Sequence, residues 1–408
     1  MAALFAASVF EAANTSACRT RIVSVEKRTN VPLDVQSVPW VHLQEDSLCC
    51  HNGMPYSHWL SCQDFCSQQP RQPRQRAAWS YVTSDVLIEM RDVIVGPTVN
   101  ARGLCGPITR DHRCVLNAMH WDSRAACSVV MNERARSHVD KLGLVLTVYA
   151  GAAGHFPQES VPTILRLLNA LPKSVPIWIP DSAIARRYMK YIAQTLDEHP
   201  SRFVHLKGPI SVNTLYLFRP DPKYSSPGRR RPLTVRSRDD FLRMRDALRS
   251  RTPPAARTVL LIRREHQRAL VNNQAVEAAL RRVAHAHGLE FEARDCGRGP
   301  LAGDVEAFHA AKVVVGVHGA GLANMVFCCE DTSVIEIGYT DGMRLPDIYF
   351  DQARFLKLPY WAVMGKGSYT GRVSVDLPTL EATVSRALRG GSAHVQLEFA
   401  VDSPSASF

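Results

Sequence analysis

Apolar residues run unbroken through much of "LGLVLTVYAG" (142–151), then recur at Val161, Ile164, Leu165, Leu168 and Leu171, then run again through "VPIWIPDS" (175–182). A short apolar run closed by glycine or proline predicts a buried strand, and spacing at i, i+3, i+4 and i+7 predicts an amphipathic helix. Pro162 fits only the first turn of that helix. Ala185, Tyr188, Ile192 and Leu196 share the face of a second helix, and "RFVHLK" and "LYLF" read as two further strands. Upstream, "DVLIEMRDVIVG" supplies one or two more. Alternation of strand and helix predicts a largely parallel sheet with helices packed on it.

The alternation restarts after a break. "TVLLIRR" is a strand, the helix after Asn272 turns Val276, Leu280 and Val283 inward and stops at Gly288, and "EFEAR" is the next strand. Asp304 is the expected N-cap of a short helix through Phe308, "KVVVGV" is a strand, a helix runs from the glycine stretch to about Phe327, and "SVIEIGY" is another strand. The division is therefore a poorly defined N-terminal region (1–77), an α/β domain (78–224), a linker (225–256), a second α/β domain (257–389) and a polar tail (390–408). Two Rossmann-like domains in tandem make the cleft between them the default ligand site.

Charge changes little in this picture. The net charge is +11, and residues 229–251 hold nine arginines against Asp239, Asp240 and Asp246, a local excess of +6. A polyanion-binding segment would make association with nucleic acid steeply salt-dependent. The ordered blocks on either side favour a solvated connector, so no nucleic-acid partner is expected. Eleven cysteines, four of them at Cys49, Cys50, Cys62 and Cys66, are compatible with disulfides in an oxidising lumen or with buried thiols. None has the histidine spacing of a zinc site. No run of about 18 apolar residues exists, so no transmembrane segment is visible. "MAALFAASVF" lacks the positive start of a secretory signal, and one glycosylation sequon occurs at Asn14.

The chemistry concentrates in "GVHGAGLANM" (316–325). Small residues between a strand and a helix let backbone approach a ligand, and the first helix amides point at it, which makes an anion site. Gly316, Gly319 and Gly321 do not form G-x-G-x-x-G, so the dinucleotide fingerprint is absent. Glu336, fifteen residues beyond Gly321 in the next strand, can take both hydroxyls of a ribose. Together they point to a nucleoside diphosphate. The competing explanation is tight-turn chemistry, with a histidine capping backbone groups.

"VVVGVHGAGLANMVFCCEDTSVIEIGY" resembles the hallmark segment of glycosyltransferase family 61: a strand, G-x-H-G-A-G-L-x-N, and a strand ending in glutamate. "TVLLIRR", "VPIWIPDS" and "GHFPQESVPTILRLL" are similar to upstream elements of that family, so the likeness covers roughly residues 80–365. It implies a GT-B fold and inverting transfer from a UDP-sugar (xylose, arabinose or N-acetylglucosamine class) to a glycan or glycoprotein hydroxyl, in the Golgi or ER lumen by analogy. Cys328-Cys329 departs from the family, which often has proline there. A non-catalytic nucleotide-sugar or glycan-binding protein of the same fold is the alternative.

Inverting transfer needs a base for the acceptor hydroxyl and positive groups for the departing diphosphate. No D-x-D triplet is present, so charge stabilisation is expected from arginine and helix amides, with no metal and no cofactor beyond the co-substrate. Arg263 or Arg264 is the clamp, with Arg263 favoured on the resemblance, since strand alternation turns only one of them inward. His318 and the amides of Ala320 to Leu322 complete the pocket, and Asn324 bonds donor or loop backbone. His155 and Glu159, at i and i+4 at the start of a helix, are the expected acceptor-side catalytic pair. Asp181 is the competing carboxylate, or else the N-cap of the next helix.

Overall fold

The computed structural model describes residues 20–24, 41–43, 86–96, 108–109, 135, 137–145, 152–205, 208–218, 238–249, 256–341 and 348–389. The sequon, the four early cysteines and the polar tail lie outside these residues. The chain divides into two compact units, residues 1–32 with 79–248 and residues 33–78 with 249–408. The N-terminal region, which shows no period in sequence, gives one short strand to each: β1 (Thr20–Ser24) to the first unit and β2 (Val41–Leu43) to the second.

In the first unit β3 (Val86–Val95) pairs antiparallel with β1, with the two-residue β4 (Ile108–Thr109), and with β8 (Ile210–Phe218). From β8 the sheet continues in parallel through β5 (Ser137–Leu144), β6 (Ile177–Trp178) and β7 (Phe203–Val204). The parallel part thus has the order β7-β6-β5-β8. A topological switch lies between β5 and β8, where ligands of open α/β sheets bind outside the strand ends.

Helix α1 (Val161–Ala170) buries Ile164, Leu165 and Leu167, and α2 (Ala183–Thr195) buries Ala185, Tyr188 and Ile192. Both faces follow the apolar spacing read from sequence in part: Leu167 is buried where Leu168 was expected, and Leu168 and Leu196 are half-buried. Helix α3 (Arg238–Leu248) occupies part of the stretch expected to be a linker. It buries Phe241, Met244 and Leu248, and its Asp240 accepts from buried Arg166 Nε of α1 at 2.7 Å. Three apolar residues at helical spacing and a buried ion pair turn this arginine-rich segment into a packed element of the first unit.

The second unit is nearly all parallel. Its strands β9 (Thr258–Ile262), β10 (Glu290–Arg294), β11 (Ala311–Val317), β12 (Ser333–Asp341) and β13 (Tyr360–Ser368) lie in the order β10-β9-β11-β12-β13. β2 adds parallel to β13, and β14 (Val373–Ser374) adds antiparallel. Val259, Leu261, Val313, Val315, Ile335 and Ile337 face a core with α4 (Asn273–Ala286) and α7 (Leu377–Arg389). The alternate residues Leu260, Ile262, Val314 and Val334 are also buried, on the other face. On that side α5 (Leu301–Ala310) and α6 (Ile348–Leu356) pack on a 3-10 helix, Ala320–Phe327. Burial on both faces explains why these strands read as apolar runs rather than alternating patterns.

Asp304 lies inside α5, which begins at Leu301 behind Pro300, and so does not serve as N-cap. Its buried carboxylate accepts from Arg294 Nε at 2.9 Å and from the Gly297 amide at 3.2 Å, tying the loop after β10 to the helix.

The switch point of the second sheet lies between β9 and β11, since the connections after these two strands lead to helices on opposite faces. The segments leaving their C-terminal ends begin with Arg263-Arg264 and His318-Gly319.

Candidate functional site

Strand β9 ends at Ile262, so both arginines lie past the point where strand alternation governs side-chain direction. Arg263 turns outward and forms a two-pronged pair with Glu277 of α4, Nε to Oε1 at 2.8 Å and Nη2 to Oε2 at 3.0 Å. The hydrogen bond to Glu277 raises its affinity for its proton. Arg264 turns instead to the glycine turn. A Cβ on Gly319 would overlap its guanidinium. Arg264 is thus the arginine at the turn, and Arg263, favoured from the sequence, is spent on a helix surface.

Each glycine of the stretch has its own reason. Gly319 has extended backbone (φ 162°, ψ 176°) that any residue adopts, so it is small to admit the guanidinium. A Cβ on Gly321 would lie 2.6 Å from Ile262 Cγ2, and one on Gly316 would lie 3.1 Å from Ile262 Cδ1 and 3.3 Å from Leu322 Cδ2. These two let the 3-10 helix press onto the end of β9.

Arg264 holds one carbonyl, with Nε donating to Gln267 O at 3.1 Å. Its neighbour Arg268 lies over the Tyr369 ring, 4.3 Å from guanidinium carbon to centroid, and is 9% exposed with its Nε unpartnered. Arg268 is held with φ +62°, its amide donating to Gly371 O at 2.5 Å. Burial first, and then the charge of Arg268, push the Arg264 guanidinium below its ordinary pKa. Among the described residues neither arginine forms an ion pair with a carboxylate. Two neighbouring guanidinium groups, partly or wholly withdrawn from water and without a counter-charge, are costly unless an anion joins them.

His318 sits beside them with Nδ1 bonded to Glu336 Oε1, the two side chains 6% and 1% exposed. Tyr349 and Tyr339 present edges to the ring, with centroids 5.0 and 5.9 Å away. Burial pushes the Tyr339 hydroxyl well above its ordinary range. Sequence reasoning found the histidine and the glutamate but not the tyrosines. Glu336, expected to contact a ribose, is buried and bonded to His318 Nδ1. Ala320 and Gly321 are half-buried at the start of the 3-10 helix, and Asn324 is buried within it.

In the first unit the switch point carries the other group of residues. His155 follows β5 through a turn in which the Phe156 amide donates to Ala152 O at 2.8 Å. A π-helical turn, Phe156–Ser160, leads into α1 with all five residues buried. Glu159 Oε1 lies 2.6 Å from His155 Nδ1, with side-chain exposures of 2% and 33%. A carboxylate only accepts, so Nδ1 carries the hydrogen and Nε2 is the basic atom. Asp181 lies apart, exposed and paired with Arg186. It is not the cap either, for Ser182 takes that place by accepting from the Ala185 amide at 3.2 Å.

Among the described residues no group of three or more His, Cys, Asp or Glu is arranged to hold a metal ion, and no helix is long and apolar enough to cross a membrane. None of Cys296, Cys328 and Cys329 is in a disulfide.

No curated protein matches the chain. Among solved structures, the metal-soaked Flv1 flavodiiron core from Synechocystis sp. PCC6803 aligns at 13% identity and a TM-score of 0.25, over 38% of this chain and 40% of that one, a likeness too remote to bear on fold or function. Residues 153–335 match the family described as Glycosyltransferase 61. That segment begins just before His155 and closes in β12, taking in His155 and Glu159, Arg264 and Arg268 and the glycine turn, and over it the chain is similar to glycosyltransferase family 61.

Proposed function

We propose that the chain is an inverting glycosyltransferase that moves a sugar of the xylose, arabinose or N-acetylglucosamine class from a UDP-sugar to a glycan or glycoprotein hydroxyl, without an obligatory metal. The two α/β units are read as the donor-side and acceptor-side halves of a GT-B enzyme, working in the ER or Golgi lumen by family analogy.

The observation that carries the donor half is the pair of uncompensated guanidinium groups, Arg264 against Gly319 and Arg268 behind it. A diphosphate supplies the missing negative charge, and its charge grows as the sugar leaves. Fixed cations aimed at that position stabilise the transition state more than the ground state. The amides of Ala320 and Gly321 add donors at the start of the 3-10 helix. On the acceptor side, His155 Nε2 removes the hydroxyl proton, and Glu159 holds the ring in the required tautomer and balances the imidazolium that forms.

The test is UDP release from a panel of UDP-sugars, with candidate glycan acceptors, with and without EDTA. One donor should support turnover that EDTA leaves unchanged. Arg264→Ala should lower kcat/KM by about 10²–10³-fold, the usual cost of removing one transition-state donor. Arg263→Ala, which breaks only the exposed pair with Glu277, should stay within about threefold of wild type. Binding of UDP without turnover of any donor would favour a nucleotide-sugar-binding protein. No binding of UDP would remove the reading altogether.

A further inference from the structure

Glu336 pairs in register with Gly316 on the neighbouring strand, and the His318 amide donates to Ile337 O at 2.9 Å. This backbone frame fixes the imidazole over the carboxylate. At 1% exposure Glu336 has no path to a ribose without breaking its bond to Nδ1. Since a carboxylate accepts, Nδ1 carries a hydrogen, and among the described residues Nε2 makes no hydrogen bond. The next residue, Gly319, carries the Arg264 guanidinium. An anion drawn there meets Nε2 favourably only if that nitrogen also holds a proton, because its lone pair would repel a phosphate oxygen.

From this geometry we infer that Glu336 is a positioning residue: it balances a doubly protonated His318 whose Nε2–H donates to the diphosphate, so that donor binding is linked to a proton on His318. The inference rests on the function proposed above. The groups facing the ring are Glu336 and Tyr339 from β12 and Tyr349 from α6, and the nearby cations are Arg264, against the adjoining Gly319, and Arg268, which acts on both Arg264 and Tyr339. The two arginines oppose a further cation beside them, and Glu336 supplies the charge that offsets it. A neutral glutamine at 336 retains an acceptor for Nδ1 and loses that charge.

Calorimetry on the full chain, with UDP and with inorganic pyrophosphate, separates this role from a ribose contact. Glu336→Gln should weaken both ligands alike, by about tenfold or more at pH 8. The ratio of variant to wild-type Kd, in which the ligand's own titration cancels, should fall to one or below at acidic pH. In a His318→Gln background, Glu336→Gln should add no further loss. A loss confined to UDP would restore the ribose contact and overturn the inference while leaving donor binding intact. A pH-independent ratio or additive losses would overturn it as well.

Should Glu336→Gln not fold, proton uptake on binding at pH 8, measured in buffers of different ionisation enthalpy, decides the matter. Wild type should take up more than His318→Gln, and equal uptake would refute the linkage. A wild type that binds neither ligand would remove the proposed function and this inference together.

Discussion

At the scale of single residues, the site is governed by where one side chain needs another to be absent. Gly319→Ala changes no forbidden dihedral, since the backbone there is extended, yet its methyl occupies the space of the Arg264 guanidinium. The far end of a flexible side chain can move, so the variant should fold with a midpoint near wild type and lose UDP affinity nearly as Arg264→Ala does. Thermal unfolding and calorimetry on the same sample would show the separation. His318, Gly319 and Glu336 were all legible as a group. Their division of labour was not, because a carboxylate's task depends on what burial leaves it to touch. Between Arg263 and Arg264 strand alternation could say only that the two diverge; the preference for Arg263 comes from the family resemblance, whereas it is Arg264 that lies against Gly319.

At the scale of elements, the strands of the second unit and the inward faces of α1, α2 and α4 follow from apolar spacing alone. The caps do not. Ser182→Ala should cost about 0.5–2 kcal/mol of stability, whereas Asp181→Ala, whose ion pair is exposed, should cost little, as urea unfolding would show. The π-helical turn at Phe156–Ser160 was read as ordinary helix, since the extra residue per turn leaves no mark in apolar spacing. Its effect is to bury Glu159 behind a half-exposed His155. His155→Ala should lower kcat by about 10²–10⁴-fold, with a smaller loss for Glu159→Gln and little change in UDP affinity in either, measured by donor turnover and UDP titration.

For the molecule as a whole, pH acts through a residue outside the site. Burial, and next the charge of Arg249, hold His309 below its ordinary pKa, and its Nε2 is buried without a partner. In the unfolded chain the same histidine takes its proton near pH 6.5. The unfolded state then binds more protons, so stability falls as pH drops from about 6.5 toward the folded value and is regained above it. Thermal unfolding of wild type should show this slope, and His309→Gln should flatten it. Arg249 also donates to the Cys328 carbonyl at 2.6 Å, so acid-weakened packing here would be felt at the C-terminal end of the 3-10 helix, opposite the glycine turn.

The short strand β2 pairs with β13 at Val41 and Tyr360, 319 residues apart in the chain. A ribosome adding about 5–20 residues per second would release the first of these some 15–60 s before the second. Within that interval the whole of 79–248, the bulk of the first unit, is made while an edge of the second waits without its sheet. Chaperone dependence during synthesis should therefore concentrate on the N-terminal segment, and refolding from denaturant, where both strands are present from the start, should escape the delay.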